Sequence, residues 1–287
     1  MKADIRDFWE KSVCGSKFVN KTWASKEFFI EYSKFRYKTE WHLEHLVPFS
    51  QSRGKKILEI GCGMGSDGKR FAESGAEYYG CDLTEAAAIT CKTHLNLFGF
   101  NANITRQNAE ELGFVDSTFD YLYSHGVLHH TDDMSAAISE IFRVLKPNRE
   151  ILVMLYNKNS LNYYLRIMVI LRISLLLYIA FRPIIPKELR TNDIEEHYKN
   201  FLKHGYGYFR PSIFLNHCTD GVQCPIARAY TKNEVKSLFR NFADIKLRIA
   251  HLPIRKHCRF IPLFIERWLA KYLGWYLFIY GTKPSVK

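Results

Sequence analysis

A strand, a glycine-rich turn and the start of a helix meet in residues 57–67, which read ILEIGCGMGSD. The apolar run ends at Gly61, Gly63 and Gly65, and glycine tolerates positive φ and lets a ligand approach the backbone closely. The helix that follows begins with N–H groups that have no partner inside the helix. The stretch therefore predicts an α/β fold with a nucleotide-type ligand at the turn.

Apolar runs and helical patterns alternate through the chain around this turn. Five runs predict strands at 56–60, 77–83, 103–109, 119–127 and 150–157, with helices at 66–74, 84–99 and 133–145 between them. Two further strands are predicted at 244–252 and 275–282, separated by a helix at 263–272. We therefore predict a Rossmann-like sheet of seven mostly parallel strands with helices on both faces.

Four segments follow from this order of elements. Residues 1–54 are aromatic and charged and predict an N-terminal helical lid, and residues 55–157 form the ligand-binding core. Residues 158–230 break the alternation and predict a mainly helical, substrate-binding insertion between the fifth and sixth strands. Residues 231–287 supply the closing helices and strands of the same sheet.

Carboxylates at strand ends indicate which ligand fits. Glu59 lies two residues before Gly61, where it suits an amine or another cation and would repel a pyrophosphate. Asp82 ends the second strand and can accept hydrogen bonds from both hydroxyls of a ribose. Asn108 begins a third strand end that can frame an adenine ring.

These features together resemble class I S-adenosylmethionine-dependent methyltransferases, of the group that includes the ubiquinone- and menaquinone-type enzymes. The motifs that carry the resemblance are Glu59–Gly65, Gly80–Thr84, Asn108–Glu110, Phe119–His130 and Arg143–Pro147. The resemblance implies S-adenosyl-L-methionine as cofactor and S-adenosyl-L-homocysteine as product. The cofactor-binding residues it implies are Glu59, Gly61, Cys62, Gly63, Gly65, Asp82, Leu83, Asn108, Ala109, Glu110, Ser124 and His125. Asn108 departs from the family, in which Asp is more frequent, but Asn still offers one acceptor to the adenine amino group.

Methyl transfer from a sulfonium mainly requires that the two reactants be aligned and desolvated. A base is needed only when the acceptor must lose a proton, and we name His125, His217 and Asp220 as candidates. His129 and His130, near the same strand end as His125, are further histidines that could act as a base or form a structural turn. The candidates for the lid or for acceptor contact are Trp9, Arg36, Tyr37, His129 and Tyr230. An aromatic lid would favour a sulfonium, although helix packing explains the N-terminal aromatic residues equally well.

The basic charge is confined to the C-terminal part. The chain of 287 residues has a net charge of +12; residues 1–157 hold 19 Lys+Arg and 21 Asp+Glu, and residues 158–287 hold 22 and 8. This asymmetry excludes a uniformly basic, histone-like protein and indicates a partner that meets only the C-terminal part. The apolar stretch 161–181 contains Arg166 and Arg172. It is either buried in the fold or in a substrate-pocket wall, or it lies in a membrane interface with its arginines extended to the polar side.

We therefore expect a cytoplasmic methyltransferase that acts on a small apolar or amphiphilic acceptor, lipid-linked or anionic. An anionic membrane surface is the second expected partner, which would make the protein peripheral to the inner face of a membrane. Nucleic acid is disfavoured, because no Asn/Asp-Pro-Pro-aromatic motif follows the fourth strand. RNA methylation, protein methylation and non-catalytic cofactor binding are the alternatives. Seven cysteines with no CxxC pair predict reduced thiols and no metal site.

Overall fold

One mixed sheet organises the part of the chain that the computed structural model describes, which is residues 2–11, 15, 18–256, 258 and 260–285. Its strands are β1 Lys56–Ile60, β2 Glu77–Asp82, β3 Asn103–Arg106, β4 Phe119–His125, β5 Leu145–Asn157, β6 Ala229–Tyr230, β7 Ala243–Ala250 and β8 Tyr276–Thr282. The strand order is β3-β2-β1-β4-β5-β8-β7, and the two-residue β6 pairs with β5 outside that path. The predicted seven-stranded path is confirmed, with β6 as an eighth strand. Cys14 lies outside the described residues.

Strand direction brings the functional segments to one edge of the sheet. β1 to β5 are parallel, and β8 runs antiparallel to both β5 and β7. Tyr276 at the start of β8 pairs with Tyr156 near the end of β5 and with Ala250 at the end of β7. The segments after β1 to β5, and the one between β7 and β8, therefore leave the sheet at the same edge, which we call the carboxyl edge.

Helices cover both faces of the sheet. They are α1 Lys2–Glu10, α2 Lys26–Thr39, α3 Leu43–Leu46, α4 Ser66–Glu73, α5 Glu85–Leu97, α6 Met134–Val144, α7 Arg172–Phe181, α8 Asn192–His204, α9 Pro211–Asn216, α10 Lys232–Leu238 and α11 Leu263–Leu273. Phe71 of α4 and Leu95 of α5 belong to one buried cluster, and Ile141 of α6 and Val235 of α10 to another. The apolar side chains of the strands are thus buried between two layers of helices.

Local sequence signals set several of these boundaries. Thr231 caps α10, and its side chain and that of Glu234 form the reciprocal pair of a capping box. β3 is shorter than predicted, because Asn108 turns the chain by accepting a hydrogen bond from the N–H of Glu110 at 3.1 Å. β4 ends at His125 because Gly126 follows with φ of 77°.

The insertion begins with a long helix that is mostly exposed. A π-helix at Asn162–Leu171 continues directly as α7, and we call the continuous segment Asn162–Phe181 the insertion helix. Only 17% of its most apolar window is buried, so burial, one of the two expectations for this stretch, is wrong. The reason is that only one side of the helix packs against the protein, through residues such as Ile167 and Leu175.

Candidate active site

A cavity of about 1260 Å³, including its open mouth, lies at the carboxyl edge. Its walls come from the segments that follow β1, β2, β3 and β4, together with α1, α2 and part of the insertion. The predicted residues that line it are Trp9, Arg36, Glu59, Gly61, Cys62, Gly63, Gly65, Asp82, Leu83, Asn108, Ala109, Glu110, His125 and Asp220. The fold therefore brings together, around one cavity, most of the residues that the sequence assigned to the site.

The glycine turn after β1 has the backbone that its sequence predicts. Gly61, Gly63 and Gly65 have φ of 79°, 50° and 75°. A Cβ on Gly61 would lie 2.0 Å from Cγ2 of Val127, so no larger residue fits there without displacing the segment after β4. The N–H of Gly61 also donates to the carbonyl of Cys81 at 2.7 Å. The turn is thereby held close to the ends of both β2 and β4.

Asp82 is fixed by backbone and side-chain donors at the end of β2. Its Oδ2 accepts the N–H of Gly63 at 3.2 Å, and its Oδ1 accepts the N–H and the hydroxyl of Thr84 at 3.1 and 2.9 Å. Burial raises the pKa of Asp82, and these three hydrogen bonds oppose the rise. The result is an oriented carboxylate on the cavity wall, as recognition of a ribose diol requires.

Glu59 is a buried carboxyl group suited to a cationic partner. It is 4% exposed, and the hydroxyl of Tyr78 donates to its Oε2. Burial holds the pKa of Glu59 well above its ordinary range, the charge of Asp67 adds to this, and the Tyr78 hydrogen bond opposes it. An ammonium group in the cavity would favour the ionised form. The amino group of S-adenosylmethionine therefore fits this side of the cavity.

Asp67, in the first turn of α4, is a cavity-lining residue that the sequence analysis missed. It is 3% exposed, and the hydroxyls of Tyr37 and Tyr123 donate to its two oxygens at 2.6 and 3.0 Å. Burial would raise the pKa of Asp67, but the nearby Arg36 charge and the hydrogen bonds lower it to about 2. Tyr37 is thus engaged with Asp67 and does not line the cavity. The position of Asp67, an acidic residue just after the glycine turn, was the sequence signal that could have identified it.

The N-terminal helix α1 forms one wall of the cavity. Lys2 Nζ lies 2.5 Å from Oε2 of Glu110, and the carboxylate of Glu10 accepts the first two N–H groups of α5 at 3.0 and 2.8 Å. Ile5 and Trp9, between these anchors, line the cavity. The negative charge of Glu10 suits the start of α5, and the lid role of residues 1–54 stays a prediction.

Two of the three candidate bases lie at the cavity. Burial lowers the pKa of His125 to about 4, so this imidazole is neutral near pH 7. The insertion reaches the cavity through Asp220, both oxygens of which accept the hydroxyl of Tyr156 at 3.0 Å. His130, another lining residue, has Nε2 3.4 Å from Oδ2 of Asp220. His130 and Asp220 thus form a pair on the wall.

The third candidate base and one predicted cofactor contact lie elsewhere. His217 donates from Nδ1 to the carbonyl of Val222 at 2.6 Å and is absent from the cavity wall. Ser124 is fully buried and donates to the carbonyl of Ile60 at 3.0 Å. Ser124 is therefore not among the residues that line the cavity, whereas the next residue, His125, is.

Two predicted acceptor contacts are also outside the cavity wall. The ring of His129 is fully buried and lies 3.8 Å from that of Tyr156, centroid to centroid. Tyr230 belongs to β6 and pairs with Asn157 of β5. Neither residue lines the cavity. His130, named above with His129, does line the cavity. Lining residues that were not assigned to the site from the sequence include Tyr32, Met64, Thr84, Gln107 and Val127.

His130, Asp220 and Cys224 come close enough to suggest a metal site, with one potential ligand atom of each within 4.8 Å of the others. However, His130 Nδ1 and the Cys224 thiol both donate to the carbonyl of Ile226, at 2.6 and 3.3 Å. Burial raises the pKa of Cys224 to about 12, whereas a metal-bound cysteine is a thiolate. The cluster fits a hydrogen-bonded wall, and the lack of a metal site stays a prediction.

Comparison with known proteins agrees with this geometry. Residues 58–153 match the family model described as a methyltransferase domain. The chain is 32% identical over 111 residues to the ubiquinone biosynthesis O-methyltransferase of Pseudomonas fluorescens strain Pf0-1, covering 38% of this chain and 48% of that protein. It is 30% identical over 138 residues to the sterol 24-C-methyltransferase of Yarrowia lipolytica, covering 45% and 36%. The chain thus spans about half or less of these relatives.

A solved structure extends the likeness to the whole chain. The putative methyltransferase in complex with the Haloferax volcanii Trm112 activator has a TM-score of 0.54 at 15% identity, with 99% of each chain covered. At this identity the likeness concerns the fold alone. Residues 58–153, with the glycine turn and the acidic strand ends, are therefore a methyltransferase domain of the class I S-adenosylmethionine-dependent type.

Proposed function

We propose that the protein transfers a methyl group from S-adenosylmethionine to a small lipophilic acceptor. The observation that carries the proposal is a single cavity with the glycine turn and Asp82 at one part of its wall and the paired His130 and Asp220 at another. Bound S-adenosylmethionine supplies an electrophilic methyl group on a positively charged sulfur.

The chain's own residues have distinct parts in this proposal. We assign Asp82 to the ribose hydroxyls, Glu59 to the amino group, and Asn108 with Ala109 to the adenine. His130 Nε2, next to Asp220, would receive the proton of an acceptor hydroxyl. The walls of the cavity align the two reactants and exclude water.

Two observations support a lipophilic acceptor. The matched relatives are named for ubiquinone biosynthesis and for sterol methylation, both of which concern lipophilic molecules. In this chain, Asp220 belongs to an insertion whose first helix is strongly apolar, with a mean hydropathy of 2.0. The acceptor side of the cavity thus includes a residue of the same insertion that contains this apolar helix.

The test begins with the cofactor. Calorimetry of the full chain with S-adenosylhomocysteine should show micromolar binding, and Asp82→Ala should weaken it at least about tenfold, which is about 1.4 kcal/mol. Asp193→Ala, at an exposed position in α8, is the matched control and should bind as the parent does. Unchanged affinity in Asp82→Ala would remove this carboxylate from the site.

The acceptor class is tested separately, by incubating the protein with labelled S-adenosylmethionine and the lipid, RNA and protein fractions of cells. Label should enter the lipid fraction. Incorporation into RNA or protein alone would refute the lipophilic acceptor, and no incorporation despite cofactor binding would favour a non-catalytic binding protein.

A further inference from the structure

The insertion helix is apolar on two opposite sides. Tyr163, Ile167, Leu175 and Tyr178 are buried against the protein. On the other side, Leu165, Val169, Ile170, Ile173, Leu176 and Leu177 are each 45–53% exposed. A soluble helix ordinarily presents polar residues to water, so an apolar outer side of this length indicates a further partner.

The helix is long and apolar enough to cross a membrane by length and composition, but its contacts hold it on the protein. Arg166 donates to the carbonyl of Cys218 at 3.3 Å, and Arg172 donates to the carbonyl of Phe209 at 2.5 Å. Crossing a bilayer would break these bonds and expose the buried side. The helix is therefore suited to lie along a membrane surface with its outer side in the lipid.

A second apolar element leaves the sheet at the same edge. In and just before α11, Phe260, Phe264, Trp268 and Tyr272 are 58–85% exposed. α11 lies between β7 and β8, whose ends meet at the carboxyl edge, where the insertion also begins. Trp and Tyr are the residues that accumulate at membrane–water interfaces. The two elements and the cavity therefore share one end of the molecule.

The charge of both elements favours an anionic surface. Residues 161–190 and residues 251–275 each contain five Lys or Arg and one Glu. In the first range, Arg182 and Arg190 pair with Glu195 of α8 at 3.3 and 3.6 Å. Lys187 follows the insertion helix, and Arg267 and Lys271 lie on α11, all of them exposed. Basic residues among exposed apolar ones provide both forces that hold a protein on an anionic lipid surface.

We propose that the insertion helix and α11 together dock the protein on an anionic phospholipid bilayer, as a peripheral protein. The docked helix then lies close to the cavity wall, because Cys218, the partner of Arg166, is two residues from Asp220 on that wall. A lipophilic acceptor could enter from the bilayer without crossing water. This last step rests on the proposed function, whereas docking itself does not.

Co-sedimentation of the full chain with vesicles tests the docking. Binding is expected to vesicles of phosphatidylcholine mixed equally with phosphatidylglycerol, and to be at least about tenfold weaker with phosphatidylcholine alone. About 1 M salt, at which the Debye length is about 3 Å, should release much of the bound protein. Equal binding to both vesicles, or none at low salt, would overturn the proposal, as would protein that stays inserted through salt and carbonate washes.

A matched pair of variants locates the surface. Leu177→Glu places a charge on the outer side of the insertion helix, and Val115→Glu places one at a residue that is 78% exposed between β3 and β4. The first should lower vesicle binding at least about tenfold and the second should not. Equal loss in both would refute the assigned surface. Unchanged S-adenosylhomocysteine binding in both variants separates this test from that of the proposed function and shows that the variants fold.

Discussion

Arg36 and Asp67 join the N-terminal helices to the glycine turn through a buried ion pair, with Nη2 of Arg36 2.6 Å from Oδ2 of Asp67. Their side chains are 19% and 2% exposed, and Arg36 also pairs with Glu40 at 2.9 Å. Because Arg36 is on α2 and Asp67 on α4, the pair fixes the predicted lid region to the core at the cavity wall.

Removing one partner of this pair should be strongly destabilising. Arg36→Ala leaves the Asp67 carboxylate buried without its charge partner, which costs about 3–5 kcal/mol. Lys199→Ala removes an exposed pair with Glu196 in α8 and should cost less than about 1 kcal/mol. Urea unfolding of both variants measures the difference. A similar decrease in the free energy of unfolding in both variants would show that the buried pair stabilises the fold no more than the exposed one.

Alanine substitutions in and outside the glycine turn separate the backbone cost of a positive φ from the steric cost of an added Cβ. Gly61 and Gly99 both have φ of 79°, but a Cβ on Gly99 would meet nothing within 4 Å, whereas one on Gly61 would meet Val127 at 2.0 Å. Alanine should therefore cost about 1–2 kcal/mol at either position from its backbone alone. Gly61→Ala should cost about 1–3 kcal/mol more from overpacking and should lose S-adenosylhomocysteine binding. Equal effects on stability and binding at the two positions would contradict this account of the turn.

Local patterns explain why much of the fold was predictable. The strand Lys56–Ile60 has the predicted bounds, because an apolar run and a glycine turn define it within a few residues. The insertion helix shows the limit of such patterns. Its hydropathy is the same whether its outer side meets protein, lipid or water, so only the packing of the whole chain shows that this side is exposed.

The site was predictable where a residue directly follows a strand and was missed where distant segments meet. Asp82 is found from its own strand end, whereas the partners Arg36 and Asp67 are 31 residues apart and meet only after the helices dock. His217 was wrongly assigned, since nothing in its loop sequence shows that its ring turns toward Val222. His130 lies on the wall because its ring pairs with Asp220, far along the chain.

The cluster of His130, Asp220 and Cys224 should not retain a metal. The thiol of Cys224 donates to the carbonyl of Ile226, so a cation bound by its thiolate would have to remove that proton and break that bond. Elemental analysis of the purified chain should find no stoichiometric zinc, and a chelator should leave S-adenosylhomocysteine binding unchanged. A bound metal that disappears in Cys224→Ala would prove the cluster to be a metal centre.

Buried neutral histidines should make the protein lose stability as the pH falls below neutrality. Burial lowers the pKa of His94 to about 4, of His125 to about 4 and of His42 to about 3. An unfolded chain binds protons at these groups below about pH 6.5, where the folded protein does not. The unfolded state therefore gains protons first, and stability falls with decreasing pH from about 6.5 to about 4, by up to about 1.4 kcal/mol per pH unit for each group.

His125→Gln isolates one of these contributions, since glutamine is uncharged at every pH. The free energy of unfolding, measured in urea between about pH 7 and about pH 4.5, should fall less steeply for this variant than for the parent. His204→Gln, at an exposed position at the end of α8, should keep the parent's slope. If His125→Gln and His204→Gln have the same slope, then His125 is not held neutral in the fold. Its place on the cavity wall would then bring a positive charge to the site in mild acid, which would disfavour a sulfonium ligand.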